Sequence, residues 1–492
     1  MHGSDDHGGE LSLKQLIGRM ALLLGISLSV GFGGAAMGLT RQQSAATSVF
    51  LAIILGTLFF WNFRLAIAFL GIGVLIFTKS LDIDHFVKEA SLPVILFLVG
   101  MMIIVGALRD LGFFTWIVQS IMSIPRITGR KFIAVTAVAS ALLACAVDEV
   151  TSIIFISTLV FQVCNRLKLN PAPYIIICVL CTNIGSAGTM MGNPVGIYIG
   201  TKAHLTFSDF IQWAFPVMVL ALGSCVAVTM WWYRKELDEF DVRLKDRMDR
   251  DLSLVPKVKV PYGKGLTVLL LTLIFIALHH TLEEALQLDP NSILLVAPLA
   301  CAGIIMIFKR DRARHYVEAE VDWWTLLFFM LLFAIAGTLA YTGVTKLMAD
   351  RFTSTFGTDL NILIPVIMAT TAIGSAFVDN VIFVAAFAPV IESLGESVKV
   401  MPLWWALLFG ACFGGNITLI GSTANIVALG MLEKNFKMHV SFFQWLKIGA
   451  LSALIACFIA WGMLTVLSPW MPENTERNIS AAVEAEAHPA GH

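Results

Sequence analysis

The sequence predicts an all-α, polytopic membrane protein of about eleven transmembrane helices. These form two inverted repeats, each with a re-entrant hairpin and a broken helix. Three observations carry this prediction. Hydrophobic residues make up 58% of the 492 positions and charged residues 14%, whereas a soluble domain is about half apolar and a quarter charged. The run Cys145-Ala-Val-Asp148-Glu149-Val returns 231 residues later as Ala376-Phe-Val-Asp379-Asn380-Val, each inside a long apolar stretch. Basic residues, finally, are distributed so that the two copies face opposite ways.

A bilayer core of about 30 Å takes roughly 20 apolar residues per helix. Residues 1–90 hold three expected spans, at 16–39, 47–62 and 64–80. The start of the chain is polar and acidic (Ser4, Asp5, Asp6, Glu10), and no cleavable signal peptide is read there. Residues 91–233 form the first repeat and 321–468 the second. Between them lie a linker, 234–264, and a two-span segment, 265–320, with spans at 265–281 and 292–308. The linker is rich in lysine and arginine, from Arg234 to Lys264, and Lys309, Arg310, Arg312 and Arg314 follow the second connecting span. Both patches belong in the cytoplasm. Repeat one then starts outside and repeat two inside, with the N-terminus cytoplasmic and the C-terminus outside. The linker also carries Leu237, Phe240, Leu244 and Met248, which fits an amphipathic helix lying on the membrane or on the protein. The tail, 469–492, is acidic and alanine-rich beyond Pro472 and reads as disordered.

The repeat holds residue by residue. Gly106, Leu108, Gly112 and Asp148 recur as Gly337, Leu339, Gly343 and Asp379 at an offset of 231. Pro173 and Gly192 recur as Pro402 and Gly421 at 229, and Phe210, Gln212 and Trp213 as Phe442, Gln444 and Trp445 at 232. The stretch 131–165 is flanked by Arg126, Arg130 and Lys131 on one side and Arg166 and Lys168 on the other. Both ends should face the cytoplasm, so the segment enters and returns as a hairpin with Asp148 near its tip. Residues 360–395 form the opposite hairpin around Asp379. Two ordinary spans in each place would give the same end topology.

Each hairpin precedes a run that combines glycine with polar residues. The first contains Thr182, Asn183, Gly185, Ser186, Gly188, Thr189, Gly192, Asn193 and Pro194; the second contains Gly414, Gly415, Asn416, Thr418, Gly421, Ser422, Thr423 and Asn425. Such runs break a helix and free backbone groups at membrane depth, which is tolerated only where they line a cavity or are buried in protein. The plainer reading is close helix packing through small residues. Two runs, each following an intramembrane aspartate, favour a site. An unpaired charge there costs roughly 3 kcal/mol or more, and a chain that carries it twice has the layout of a secondary transporter. Asp148 and Asp379 are the best-placed groups to bind a proton or a cation, because burial disfavours the charged carboxylate. Glu149 is an accessory candidate with a structural role as the alternative. Adjacent helical positions point about 100° apart, so it is expected to face away, toward Lys131 or the hairpin's polar side.

Other features read blandly. Cys178 and Cys181 have the spacing of a metal or redox pair, but no second pair is near, and all eight cysteines read as small packing residues. His279, His280, Glu283 and Glu284 have metal-like spacing, with an interfacial polar cluster as the simpler account. A net charge of -1 without a basic domain excludes a nucleic-acid partner. No enzyme, cofactor or resident metal is expected. An intramembrane aspartyl protease also needs two aspartates, but no Gly-x-Gly-Asp surrounds Asp379. Arg109 and Lys346 sit near helix ends, and no buried basic residue is expected, which with the buried acids favours a cation or a proton-coupled neutral species over a multiply charged anion.

The runs Ser375-Ala-Phe-Val-Asp379-Asn380-Val and Phe413-Gly-Gly-Asn416-Ile-Thr418-Leu-Ile-Gly421-Ser-Thr-Ala-Asn425 resemble the ion transporter superfamily, and Thr182-Asn183-Ile-Gly185 with Gly192-Asn193-Pro194 resembles the counterpart in its first half. That group includes arsenite permeases, the melanosomal P protein, bacterial sodium/proton antiporters, and citrate or dicarboxylate carriers. The resemblance covers about residues 50–468. It implies an elevator-type carrier, often dimeric; the expected location is a bacterial inner membrane, and the expected coupling ion is H⁺ or Na⁺. It places the transport site at Asp148, Thr151, Asn183, Asp379, Asn380, Asn416, Thr418 and Asn425. The hairpin tips lack the Ser-Asn-Thr of the sodium/dicarboxylate branch, and Glu149 stands where relatives usually have Asn. The expected function is proton- or sodium-coupled ion transport, leaning to cation/proton antiport. The alternative is an anion permease for arsenite, citrate or dicarboxylate, sulfate or phosphate.

Overall fold

The structure is a computed structural model that describes residues 12–124, 127–248, 262–288, 292–395 and 397–473. The acidic start, Arg126, the linker stretch 249–261 and the tail from 474 lie outside the described residues, so the expectations placed there are untouched. Among the described residues every regular element is helical.

The leading helices are α1 (Leu13–Ala36), α2 (Arg41–Phe59), α3 (Arg64–Phe77) and α4 (Ile83–Glu89). The first repeat runs through α5 (Leu92–Asp110), α6 (Phe113–Met122), α7 (Gly129–Ala146), α8 (Glu149–Leu167), α9 (Ala172–Gly185), α10 (Pro194–Lys202) and α11 (Phe207–Trp232). Next come α12 (Arg234–Met248), α13 (Gly263–Ala277), α14 (His279–Leu286) and α15 (Ser292–Phe308). The second repeat is α16 (Trp323–Tyr341), α17 (Val344–Phe356), α18 (Leu360–Phe377), α19 (Asn380–Leu394), α20 (Met401–Gly414), α21 (Thr423–Phe436) and α22 (Phe442–Leu467). The starts of α5 to α8 (92, 113, 129, 149) and of α16 to α19 (323, 344, 360, 380) all differ by 231. Those of α9 and α10 (172, 194) and of α20 and α21 (401, 423) differ by 229. The repeat read in residues is thus a repeat of elements, and the two residues lost fall between the hairpin and the broken helix.

Nine helices among the described residues are long and apolar enough to cross a bilayer, and two bent helix pairs raise this to eleven. The total matches the expectation but the membership does not. Both arms of the first hairpin count, while Arg64–Phe77, Ala172–Gly185 and Met401–Gly414 fall in the shorter class. For the last two the reason is physical: a span cut by a glycine-rich break leaves two helices, neither long enough alone; Arg64–Phe77 is a separate short helix of 14 residues.

The chain divides into two compact units. One comprises Met1–Leu92, Trp323–Thr355 and Ala385–Leu394. Within it α2 packs on α1 and α3, with Gly71 closely facing Val49, Ile53 and Ile335. The Gln43 amide donates to Thr342 O at 3.0 Å. Here one expectation fails. Arg64, at the start of α3, is only 4% exposed. Its guanidinium lies 3.9 Å from the centroid of Trp61 and 4.6 Å from that of Phe328. Stacking on aromatic faces offsets the burial of a weakly hydrated guanidinium.

The other unit comprises Pro93–Asp322, Phe356–Val384 and Gly395–His492. Helix α12 docks on protein: Leu237, Phe240 and Leu244 are buried. The Phe240 ring packs 5.5 Å from Phe132 and 5.2 Å from Tyr174. Asp241 accepts from the Gly129 N–H at the start of α7, and Tyr174 Oη donates to Glu236 O at 2.7 Å. Arg312 pairs with Asp110 at 2.6 Å, and Arg109 with Glu320 at 2.9 Å. The end of α5 and the 310–320 segment are therefore held together. Asp241→Ala is expected to lower stability by about 1 kcal/mol, since it removes the acceptor of the Gly129 N–H at the start of α7, whose N-cap is Thr128; thermal unfolding in detergent reads this directly.

The four residues of the spaced His/Glu cluster do not converge. His280 pairs with Glu284 at 3.6 Å, the His279 ring meets Ile276 O, and Glu283 accepts from the N–H groups of Ile293 and Leu294 at the head of α15. Among the described residues no group of three or more His, Cys, Asp or Glu could hold a metal ion.

Candidate functional site

The site lies within the larger unit, where two hairpins and two broken helices meet. The first hairpin turns at Asp148. Ser152 Oγ of α8 donates to Ser140 O of α7 at 2.7 Å, so the arms run antiparallel about that point. The second turns at Asp379, with Gly374 pressed against the ring of Phe383. Both aspartates are helix N-caps. Asp148 Oδ1 accepts from Thr151 N at 2.8 Å, and Asp379 Oδ1 from Val381 N at 3.0 Å. A carboxylate there meets free N–H groups and the positive end of the helix dipole. Asp379 is 3% exposed and also accepts from Thr423 Oγ1 at 3.1 Å, whereas Asp148 is half-buried.

Each broken helix leaves an eight-residue gap, 186–193 and 415–422. The gaps are pinned to the hairpins by one device used twice. Thr189 Oγ1 donates to Cys145 O, and Thr418 Oγ1 donates to Ala376 O. These are equivalent positions in the two repeats. Each hydroxyl satisfies a carbonyl left free just before its hairpin tip, as buried backbone requires. Past each gap the next half-helix is capped, α10 by Asn193 Oδ1 from Gly196 N at 2.9 Å and α21 by Ser422 Oγ from Ala424 N at 3.1 Å. Asn193 and Ser422 are again repeat partners. Gly185 and Gly414 end the first half-helices where the backbone of Ala141 and of Ala372 approaches most closely, and Gly192 and Gly421 lie against main-chain oxygens within the gaps.

Three asparagines link the repeats. Asn183 Nδ2 donates to Asn416 Oδ1 at 2.7 Å and to Asn425 Oδ1 at 2.9 Å. Asn416 Nδ2 donates to Leu180 O, and Asn425 Nδ2 to Gly415 O and Thr418 O. Their amides are therefore oriented by backbone carbonyls, and both side-chain oxygens turn to Asn183. That fixes Asn183 in turn, so its Oδ1 faces Ser422 Oγ at 3.1 Å. All four side chains are at most 1% exposed.

Glu149 enters the same network. Its side chain is 4% exposed, and its Oε1 lies 3.2 Å from Ser422 Oγ. Ser186, Asn193 and Asp379 are further neighbours. This overturns the expectation that Glu149 faces away from the site, toward Lys131 or the hairpin's polar side. The stagger of α8 instead leaves Asp148 at the rim and brings Glu149 inward. Its equivalent, Asn380, is 3% exposed at the second tip.

The structure thus unites Glu149, Asn183, Asn416, Ser422 and Asn425 in one network, with Asn193 beside it. Asp379 lies next to it through Thr423. Thr189 and Thr418 act on backbone, Thr151 gives Asp148 its N–H, and Gly188 and Gly415 shape the gaps. Three further partners appear, of which Ser186 was named in the first polar run and Cys412 and Trp445 were missed as site residues. Ser186 Oγ accepts from Asn193 Nδ2 at 2.8 Å, Cys412 Sγ lies 3.1 Å from that same nitrogen, and Trp445 Nε1 donates to Asn416 O at 3.0 Å. Trp445 left a signal, its repeat match to Trp213; Cys412 left none. No lysine or arginine makes a hydrogen bond within this network among the described residues. The site can offer carboxylates, amide oxygens and hydroxyls, and it can relay a proton.

Comparison with known proteins gives a consistent picture. The citrate transporter family (CitMHS) matches residues 49–410. An uncharacterized transporter of Mycobacterium tuberculosis is 33% identical over 378 residues, covering 75% of this chain and 84% of that protein. The human P protein is 25% identical over 459 residues, covering 78% of this chain and 54% of its own length. Among solved structures, the YdaH transporter of Alcanivorax borkumensis aligns with a TM-score of 0.55 at 15% identity, over 80% of this chain and 88% of that one. That likeness is one of fold.

Proposed function

The chain belongs to the citrate transporter family and is a membrane transporter, and we propose that it is a secondary active carrier in which movement of a small ion is coupled to protons. The observation that carries this is the buried Glu149–Ser422–Asn183 network joining the two repeats. A pore needs a continuous wet path, but these side chains bond across the repeats and close on one another. Opening them toward one side at a time is alternating access. The repeated hairpins and broken helices supply two elements of similar design for that purpose. In our reading they move as an elevator in a homodimer, with the two tips inverted across the bilayer.

Glu149, Asp148 and Asp379 cluster here, and among the described residues no lysine or arginine makes a hydrogen bond within the network, Arg109 acting on Asp148 through its charge alone; a cation exchanged for protons is therefore the substrate class we favour. The family description supports a second reading, in which citrate is the cargo. Helix N-termini can hold carboxylates without a basic side chain, and Asn193 and Ser422 mark two such starts. A trivalent anion would then have to arrive with protons or cations to balance the three acids.

Purified protein in liposomes tests both readings, using sodium, lithium and citrate gradients imposed in turn with a trapped pH dye. Cation-driven proton release supports exchange, and citrate-driven proton uptake supports symport. Asp379→Asn and Asp148→Asn are each expected to reduce the flux at least a hundredfold. Wild-type flux in both variants would remove the aspartates from the mechanism, and a steady unitary current in single-channel recording would overturn the carrier itself.

A further inference from the structure

Ser422 sits at a point where hydrogen-bond donors can be counted. A serine hydroxyl offers one proton and two lone pairs. Ser422 Oγ accepts from Ala424 N at 3.1 Å, which occupies one lone pair. Its other neighbours are Asn183 Oδ1 at 3.1 Å and Glu149 Oε1 at 3.2 Å. Asn183 Oδ1 is an acceptor and cannot be otherwise. Flipping that amide would set its NH₂ against the Ser422 hydroxyl and its oxygen against two asparagine oxygens, which are themselves oriented by backbone carbonyls.

Two acceptors therefore face one hydroxyl proton if Glu149 is ionised. Whichever loses is a buried oxygen without a donor, and such a group costs about 1–3 kcal/mol, more if it is charged. A proton on Glu149 resolves the conflict. Glu149 then donates to Ser422 Oγ, Ser422 donates to Asn183 Oδ1, and each valence of the hydroxyl is used. A second observation points the same way: Glu149 Oε2 is buried with no hydrogen-bond partner among the described residues. An ionised carboxylate would seldom be left so poorly solvated.

We infer that Glu149 is the proton-binding group of the transport site, held as the neutral acid in this closed arrangement by the Ser422–Asn183 relay. The inference rests on the proton-coupled reading above and deepens it. When Glu149 releases its proton to the open side, the Ser422 hydroxyl turns from Asn183 to the carboxylate. Asn183 Oδ1 is then exposed without a donor beside a negative charge. The site becomes complementary to an incoming positive charge or donor, so proton and cargo exclude one another. Only one repeat holds this switch, because the equivalent Asn380 cannot titrate. Other titratable groups facing Glu149 are Asp148, Asp379 and the Cys412 thiol.

The test uses full-length protein and two readouts. Infrared difference spectra across a pH titration should show a protonated-carboxyl band at neutral pH in the wild type. The band should persist in Asp148→Asn and Asp379→Asn, vanish in Glu149→Gln, and shift in Ser422→Ala as the acid loses its acceptor. Absence of the band, or its loss with either aspartate instead, overturns the inference. In liposomes, Glu149→Gln supplies a donor but no exchangeable proton, and substrate-driven proton flux should fall at least tenfold. Proton flux at the wild-type level in that variant overturns the inference while leaving proton-coupled transport standing. A wild type that moves no proton under any gradient, yet shows the Glu149 band, sinks the coupling reading and spares the assignment of the proton. Should Glu149→Gln fail to fold, the wild-type band and its shift in Ser422→Ala decide.

Discussion

Asn183→Ala is expected to abolish transport and to lower stability by several kcal/mol, the largest loss from a single side chain at the site. Among the described residues Asn183 Nδ2 is the donor to both Asn416 Oδ1 and Asn425 Oδ1, and Asn183 Oδ1 is an acceptor for Ser422. Truncation leaves two buried amide oxygens without donors. Each costs about 1–3 kcal/mol, and a half-satisfied buried network loses more than its pairwise sum. The asparagine oxygens cannot rotate to new partners without abandoning Leu180, Gly415 or Thr418 carbonyls. The functional loss follows because Ser422 then has one acceptor in place of two. Its hydroxyl stays with Glu149 in every state, and the exchange logic disappears. Asn183→Asp should be at least as damaging, since it turns the amide that serves both asparagine oxygens into an acceptor. Thermal unfolding and uptake in liposomes measure both effects. Retained uptake with an unchanged melting temperature in Asn183→Ala would show that the network neither holds the fold nor carries the cycle.

Much of this site was legible in the sequence, and the reason is the repeat. A residue type that returns at one offset, across more than a hundred positions, reports a shared backbone plan. Asp148 with Asp379 and Gly192 with Gly421 marked the tips and gaps before any coordinates did. Pairings between the repeats were not legible, because nothing in two similar strings says that Asn183 of one reaches Asn416 and Asn425 of the other. The orientation of Glu149 was not legible either. Neighbouring helix positions diverge by about 100°, and which of the two faces inward depends on how the hairpin packs on α9 and α21. Pattern alone assigned the inward position to the acid present in both copies, Asp148, but that residue caps its helix at the rim. Arg64 escaped notice for a related reason. Its neutral account needs Phe328, more than 250 residues away, as well as the adjacent Trp61.

Close backbone approach, the other half of the design, predicts opposite signs for one chemical change. In an exposed helix, Gly→Ala stabilises by roughly 1 kcal/mol through backbone entropy. Gly73 and Gly223 should behave so, because a Cβ there meets nothing within 4 Å. At Gly185 a Cβ would lie 2.3 Å from Ala141 O, and at Gly414 it would lie 2.4 Å from Ala372 Cα. Neither neighbour is a side chain that can swing aside. The hairpin arm and the broken helix must separate, at a cost of about 1–3 kcal/mol or more for overpacking, which outweighs the entropic gain. The same separation pulls on Ser375 Oγ, which donates to Ala411 O at 2.7 Å, and on the Thr418 clamp to Ala376. Gly414→Ala is therefore expected to lose transport even where folded protein survives, and Gly185→Ala should match it through Cys145 and Thr189. Melting curves and uptake for the four variants separate the two regimes. If Gly414→Ala were as stable as Gly223→Ala, the hairpin and the broken helix would not be in backbone contact, and the clamp that sets the site's geometry would have to be sought elsewhere.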